Sequence, residues 1–170
     1  MSSLTDFQLG ICTDHKGRLI SDIWSFDDFW LEYTHDYIQW LFPIDSAGRF
    51  NQFTPLVSPE DQYEFRKNVK LKSSMMKSFR LMTGFWGLEW DEKLNITPSS
   101  ELNLRTHIWL KRGGHNHLRI SRVIRSLYLC GQEDLATAFS DAVIQIGRDF
   151  GHVTDETFKY WQNALNTASE

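Results

Sequence analysis

The strongest constraint on this chain is a set of three successive helical stripes in its last third, two of them closed by a glycine. Ile120, Val123, Ile124 and Leu127 recur three or four apart, and Gly131 follows as a natural C′ residue. Leu135, Phe139, Val143 and Ile146 form a second stripe over about 133–150, ended by Gly151. Phe158, Trp161 and Leu165 share one face of a third helix, 154–168, starting near Thr154. Stripes of this period are buried by packing helix on helix. No run alternates as a strand does, and no internal repeat is present. The expected class is all-α, a single domain over residues 1–170 with five or six helices.

Two earlier helices carry start signals. Ser58-Pro59-Glu60-Asp61 offers a capping serine, a proline suited to the first helical position and an acid able to close a capping box. That helix holds Phe65, Val69, Met76, Phe79 and Met82, and stops near Gly84. Ser25 is the expected N-cap of the other, with Asp27 and Asp28 in the dipole-favoured first turn. It runs through Trp30, Tyr33 and Tyr37 to Phe42, where Pro43 ends it. Before it, Thr13 to Arg18 reads as a turn around Gly17. Residues 44–57 read as a loop, punctuated by Asp45-Ser46-Ala47-Gly48 and Pro55. The segment 84–113 is glycine-punctuated and rich in aromatics, with Phe85, Trp86 and Trp90 read as core and no linker composition.

Wound at roughly 100° per residue, the helix at 25–42 places Phe26, Phe29, Trp30, Tyr33, Tyr37, Trp40 and Leu41 on one side. Leu31, Ile38 and Phe42 fall on the other, with His35 and Gln39 beside them. Apolar on both sides, it is expected to be the central buried helix. In the second informative segment, His115 to Leu127, Asn116 shares the inward stripe with Ile120 and Val123. Arg119 and Arg122 border that stripe, and arginine beside a core calls for a carboxylate or a ligand anion. Asp36 or Glu32 is the expected partner. The two segments are expected to meet, bringing His35, Asp36 and Gln39 to Asn116, Arg119 and Arg122.

These residues carry a family resemblance. His35-Asp36-Tyr37-Ile38-Gln39-Trp40-Leu41-Phe42-Pro43 is similar to a signature of the opioid growth factor receptor conserved region, and Asn116 to Leu127 resembles its second signature. The Gly17-Arg18 turn, Leu31-Glu32, Asn51, Pro55-Leu56 and Leu129-Cys130-Gly131 fit the pattern in order, over about residues 10–150. The resemblance implies a relation to a receptor for an endogenous opioid peptide, associated with the nucleus and restraining proliferation. It also implies a minimal version, without that protein's extra segments and repeats.

Bulk properties limit the functions. A net charge of −4 implies no general attraction to phosphate, so no nucleic-acid partner is expected. Cys12 and Cys130 are too few for a disulfide framework or a four-thiolate zinc site, and neither reads as reactive. No run approaches about 18 apolar residues, so no membrane span is expected. The first residues lack a secretory pattern, and the expected location is cytoplasmic.

The functional reading is a ligand-binding or regulatory module. It takes a peptide or small molecule between the two signature helices, with His35, Asp36, Gln39, Trp40, Asn116, Arg119 and Arg122 as the contacting residues. Against it stands a satisfied polar network that only fixes packing. An enzyme using His35 with His115 or His117 is the alternative, but no nucleophile is signalled. No cofactor is expected. The metal alternative is His35, His115 and His117, although two histidines at i and i+2 of a helix point apart. His115 is expected at the surface and His117 in packing. Gly113-Gly114 alone is a weak phosphate signal.

Overall fold

In the computed structural model, residues 2–46 and 54–166 are described. Ala47, Gly48 and Asn51 lie outside them, as do residues 167–168 of the helix expected at 154–168, which in its described part already ends at Asn163 with Ala164 as C-cap. The chain is mostly helical, as its class requires. Among the described residues are nine α-helices: α1 Ser3–Gln8, α2 Ile20–Trp24, α3 Asp28–Tyr33, α4 Ile38–Leu41, α5 Pro59–Lys67, α6 Val69–Phe85, α7 His117–Leu129, α8 Glu133–Phe150 and α9 Asp155–Asn163. A 3-10 turn spans Ile108–Leu110. Strands β1 (Leu88–Trp90) and β2 (Ile96–Pro98) pair antiparallel, with Glu89 opposite Thr97. No described helix is long and apolar enough to cross a membrane.

The chain gathers into two compact units, one of Met1–Leu81 with Leu129–Gly131, the other of Met82–Tyr128 with Gln132–Glu170. In the first, α1 packs on α4 and α5. Phe7 is fully buried and meets the Trp40 ring edge-on, 5.1 Å between centroids. Gln8, buried beside it, donates from Nε2 to the carbonyls of Trp40 (2.7 Å) and Leu41 (3.3 Å). These are carbonyls at the C-terminal end of α4, which a helix of four residues leaves without intrahelical partners. The Gln8 carbonyl in turn accepts the Ser74 hydroxyl at 2.6 Å.

The helix expected at 25–42 is two short helices, α3 and α4. Asp27, not Ser25, is the N-cap, accepting the Trp30 amide at 3.0 Å. After Tyr33 the backbone extends at Thr34 (ψ 127°). Tyr37, fully buried, donates its hydroxyl to the Leu31 carbonyl at 2.7 Å. A uniform helix keeps Tyr37 on the side of Phe29 and Tyr33; the break turns α4 so that Tyr37, Trp40 and Leu41 face the core. Phe29 and Trp30 are left 54% exposed and Tyr33 65%. No central buried helix exists at this position. Phe42, before Pro43, leaves the helical region as expected (ψ 75°).

The helix expected from 58 to 84 is also divided. Its start is as read: Ser58 Oγ accepts the Asp61 amide, Asp61 Oδ2 accepts the Ser58 amide, each at 3.1 Å, and Pro59 opens the helix. At Asn68 the backbone extends, and its Oδ1 accepts the amides of Lys70 (2.9 Å) and Leu71 (3.3 Å). A short amide side chain thus offers the backbone an alternative to helical bonding and restarts the chain as α6.

The second unit is built on aromatics. Trp86, Trp109, Phe139 and Trp161 are buried. Trp86 stacks on Phe139 at 6.0 Å, and Trp109 Nε1 donates to the Trp86 carbonyl at 2.8 Å. The hairpin's β2 lies on α8. Three-residue strands are too short to register a period of two, which is why the sequence shows none.

Candidate functional site

In the first unit, the turn at 13–18 builds the polar centre. Gly17 takes a positive φ of 75°, open to glycine without steric cost. The Asp14 carboxylate, with no side-chain exposure, accepts the amides of Lys16 (2.9 Å) and Arg18 (3.0 Å) and the Arg18 Nε–H (2.7 Å). The fixed fork of the guanidinium then reaches Asp36: Nη1 lies 3.0 Å from Oδ1, and Nη2 donates to the Asp36 carbonyl at 3.3 Å. Asp36 Oδ2 lies 3.3 Å from His15 Nε2, and Trp40 Nε1 donates to His15 Nδ1 at 3.0 Å.

An indole N–H only donates, so His15 Nδ1 is the bare nitrogen and Nε2 carries the proton toward Asp36. Both ring nitrogens are thereby committed, and neither is left to act as a general base. Asp36, expected to pair with an arginine of the second signature, is held by Arg18 and His15. Asp36 and Trp40 are brought together through His15, which the sequence reading passed over as part of a turn.

His35 and Gln39 come together differently. Gln39 Nε2 donates to the His35 carbonyl at 3.1 Å, which fixes the amide orientation. Its Oε1 is buried with no hydrogen-bond partner, whereas the His35 side chain is exposed.

In the second unit, Asn116 does not sit on the inward stripe. It precedes α7 with a φ of 80°, its carbonyl accepts the Ile120 amide at 2.8 Å, and its Oδ1 accepts Arg119 Nη1 at 3.1 Å. Asparagine tolerates this left-handed conformation better than most residues. Arg122 is partly buried, and burial lowers its pKa to about 10, so it remains a cation at neutral pH. Gly114 owes its place to crowding: a Cβ there would overlap the Ile108 carbonyl oxygen. Gly114→Ala is expected to lose about 1–3 kcal/mol of stability in urea unfolding.

His115 is exposed, as expected. His117 packs, also as expected: Nε2 lies 2.6 Å from the Trp109 carbonyl, and the ring stands edge-on to Trp161 at 5.5 Å. Since a carbonyl only accepts, Nε2 carries the proton. Burial lowers the His117 pKa, opposed by that hydrogen bond. With the folded value below the unfolded one, the unfolded chain takes up the proton first. This contribution to stability is therefore full above about pH 6.5 and is lost as pH falls from there toward the folded value. His117→Gln is expected to flatten the decline in urea-unfolding free energy between about pH 7 and 5.

The metal alternative His35, His115 and His117 is not assembled. Among the described residues no group of three or more His, Cys, Asp or Glu is placed to hold an ion. The enzymatic alternative gains no support, since His117 Nε2 is spent on a backbone carbonyl. Cys130 is buried and Cys12 partly so, and neither is in a disulfide.

The sequence profile of the opioid growth factor receptor conserved region matches residues 11–170. The opioid growth factor receptor of Mus musculus is 31% identical over 138 residues, 78% of this chain and 22% of that protein. The Homo sapiens receptor is 31% identical over 122 residues, covering 69% and 18%. Opioid growth factor receptor-like protein 1 of Xenopus tropicalis is 32% identical over 112 residues, covering 65% and 22%. The chain thus spans about a fifth of the length of these relatives. No solved structure matches. The match over residues 11–170, with 31% identity to the Mus musculus receptor over 138 residues, makes this chain a member of the opioid growth factor receptor family, corresponding to its conserved region.

Proposed function

We propose that the chain is a ligand-binding or regulatory module that takes a peptide or small molecule at its signature residues. The relatives are named as receptors, and a receptor-like role is the reading extended to this chain. The observation that carries it is Gln39 Oε1, a buried acceptor without a donor beside the exposed His35. Leaving such an acceptor unsatisfied costs about 1–3 kcal/mol, and a ligand N–H or O–H placed there recovers it. Within the first unit His35 and Gln39 are the proposed contacts; within the second, Asn116, Arg119 and Arg122 are a separate set, tested by itself. Asp36 and Trp40 act by positioning. No cofactor enters the reading, no nucleic acid is a partner, and the cytoplasm is the compartment it assigns.

A thermal-shift screen of short peptides with a free amino terminus and of small amides tests it. A binder is expected to raise the melting temperature. Gln39→Leu, which removes the unpaired acceptor, is expected to abolish the shift while changing stability by about 1 kcal/mol or less. Arg119→Ala examines the second signature separately. Undiminished binding by both variants would overturn the assignment.

A further inference from the structure

The outer face of α3 has no part in the site above. Leu31 is buried; at about 100° per residue, Phe29 and Tyr33 fall opposite it, with Trp30 on one flank and Asp28 and Glu32 on the other. Phe29 and Tyr33 stack with centroids 4.5 Å apart, and Phe29 meets Trp30 edge-on at 5.2 Å. All three rings are more than half exposed. Three touching aromatic rings on a six-residue helix form a contiguous apolar patch, the kind of surface that marks an interaction site.

Charge decides what fits there. From Leu19 to Gly48 the chain has no Lys or Arg but six carboxylates, at positions 22, 27, 28, 32, 36 and 45. Asp22, Asp27 and Asp28 are exposed. Ring faces beside carboxylates attract cations, guanidinium above all, because it stacks and forks onto an acid at once. The same unit already contains such a contact, with Lys77 Nζ 4.5 Å from the Trp24 ring centroid. A second copy of this chain placing its α3 here would bring a matching set of carboxylates against these, which like-charge repulsion opposes.

We propose that the outer face of α3 docks an arginine- or lysine-bearing peptide segment of a partner protein. The Phe29–Tyr33 stack and Trp30 receive the cationic side chain, and Asp28 faces its charge. This stands on other residues than the Gln39 reading and survives or fails independently of it.

Calorimetric titration of the full chain with a blocked peptide alternating alanine and arginine tests the proposal, with the alanine–glutamate counterpart as the charge control. The arginine peptide is expected to bind and the glutamate peptide not. Trp30→Ser and Tyr33→Ser are each expected to weaken binding about tenfold or more, with unchanged melting temperatures. Tyr63→Ser and Tyr160→Ser, at exposed tyrosines of α5 and α9, are expected to bind as the parent does. The proposal is overturned by no binding, by binding that survives both α3 variants, or by equal losses at Tyr63 or Tyr160. It is also overturned by sedimentation showing a dimer that Trp30→Ser dissociates, since the occupant is then a second copy.

Discussion

Trp161→Ala is expected to lower the unfolding free energy by about 3–5 kcal/mol, the largest effect of any single substitution considered. The side chain has no exposure, and its ring meets Trp109 at 6.2 Å, Phe158 at 5.8 Å and His117 at 5.5 Å. Removing it opens a cavity that three aromatic neighbours are too rigid to refill. It also removes the Nε1–H that the His117 carbonyl accepts at 3.0 Å. Trp161→Phe keeps most of the ring area and loses mainly that bond, so about 1–2 kcal/mol is expected. Domains of this kind have only about 5–15 kcal/mol in total; the alanine variant should show a clearly lower urea midpoint, with the phenylalanine variant between it and the parent.

Asp14→Ala is expected to cost about 3 kcal/mol or more, because it leaves the Lys16 and Arg18 amides and the Arg18 Nε–H without the buried carboxylate that accepts them. The buried carboxylate satisfies two amides of its own turn and the Arg18 Nε–H. Asp36→Ala is the internal comparison. That side chain is 34% exposed, and its pair with Arg18 is partly solvated, so a loss of about 1 kcal/mol or less is expected. Urea unfolding of the two variants side by side tests whether Asp14, outside the long signature, anchors the network that Asp36 joins.

What the sequence disclosed follows from the range of the forces involved. The Ser58 cap and the stripes of α7, α8 and α9 depend on residues within a turn or two of one another, and their period and stop signals are visible without a fold. The break between α3 and α4 depends on Tyr37 reaching back to the Leu31 carbonyl and on which rings the core accepts. A helical wheel assumes the continuity that those contacts remove. Charge alone matches Asp36 to an arginine of the second signature. Its actual partner, Arg18, is aimed by the buried Asp14 and by the positive φ of Gly17. Gln8, which closes the end of α4, carries no local signal at all. The family was legible because its two signatures are dense in Trp, His, Gln and Arg; the sorting of those residues into supporting and ligand-facing ones needed coordinates.

A fixed chain of hydrogen bonds from Trp40 through His15 to Asp36 holds the first signature in place, with Gln39 Oε1 beside it as one of the buried acceptors without a donor. Proton–nitrogen correlation of the His15 ring in the nitrogen-labelled chain measures this directly. The expected spectrum has the proton on Nε2, a bare Nδ1, and a coupling to that Nδ1 from the Trp40 indole proton. A proton found on Nδ1, with the indole proton exchanging freely with water, would contradict it.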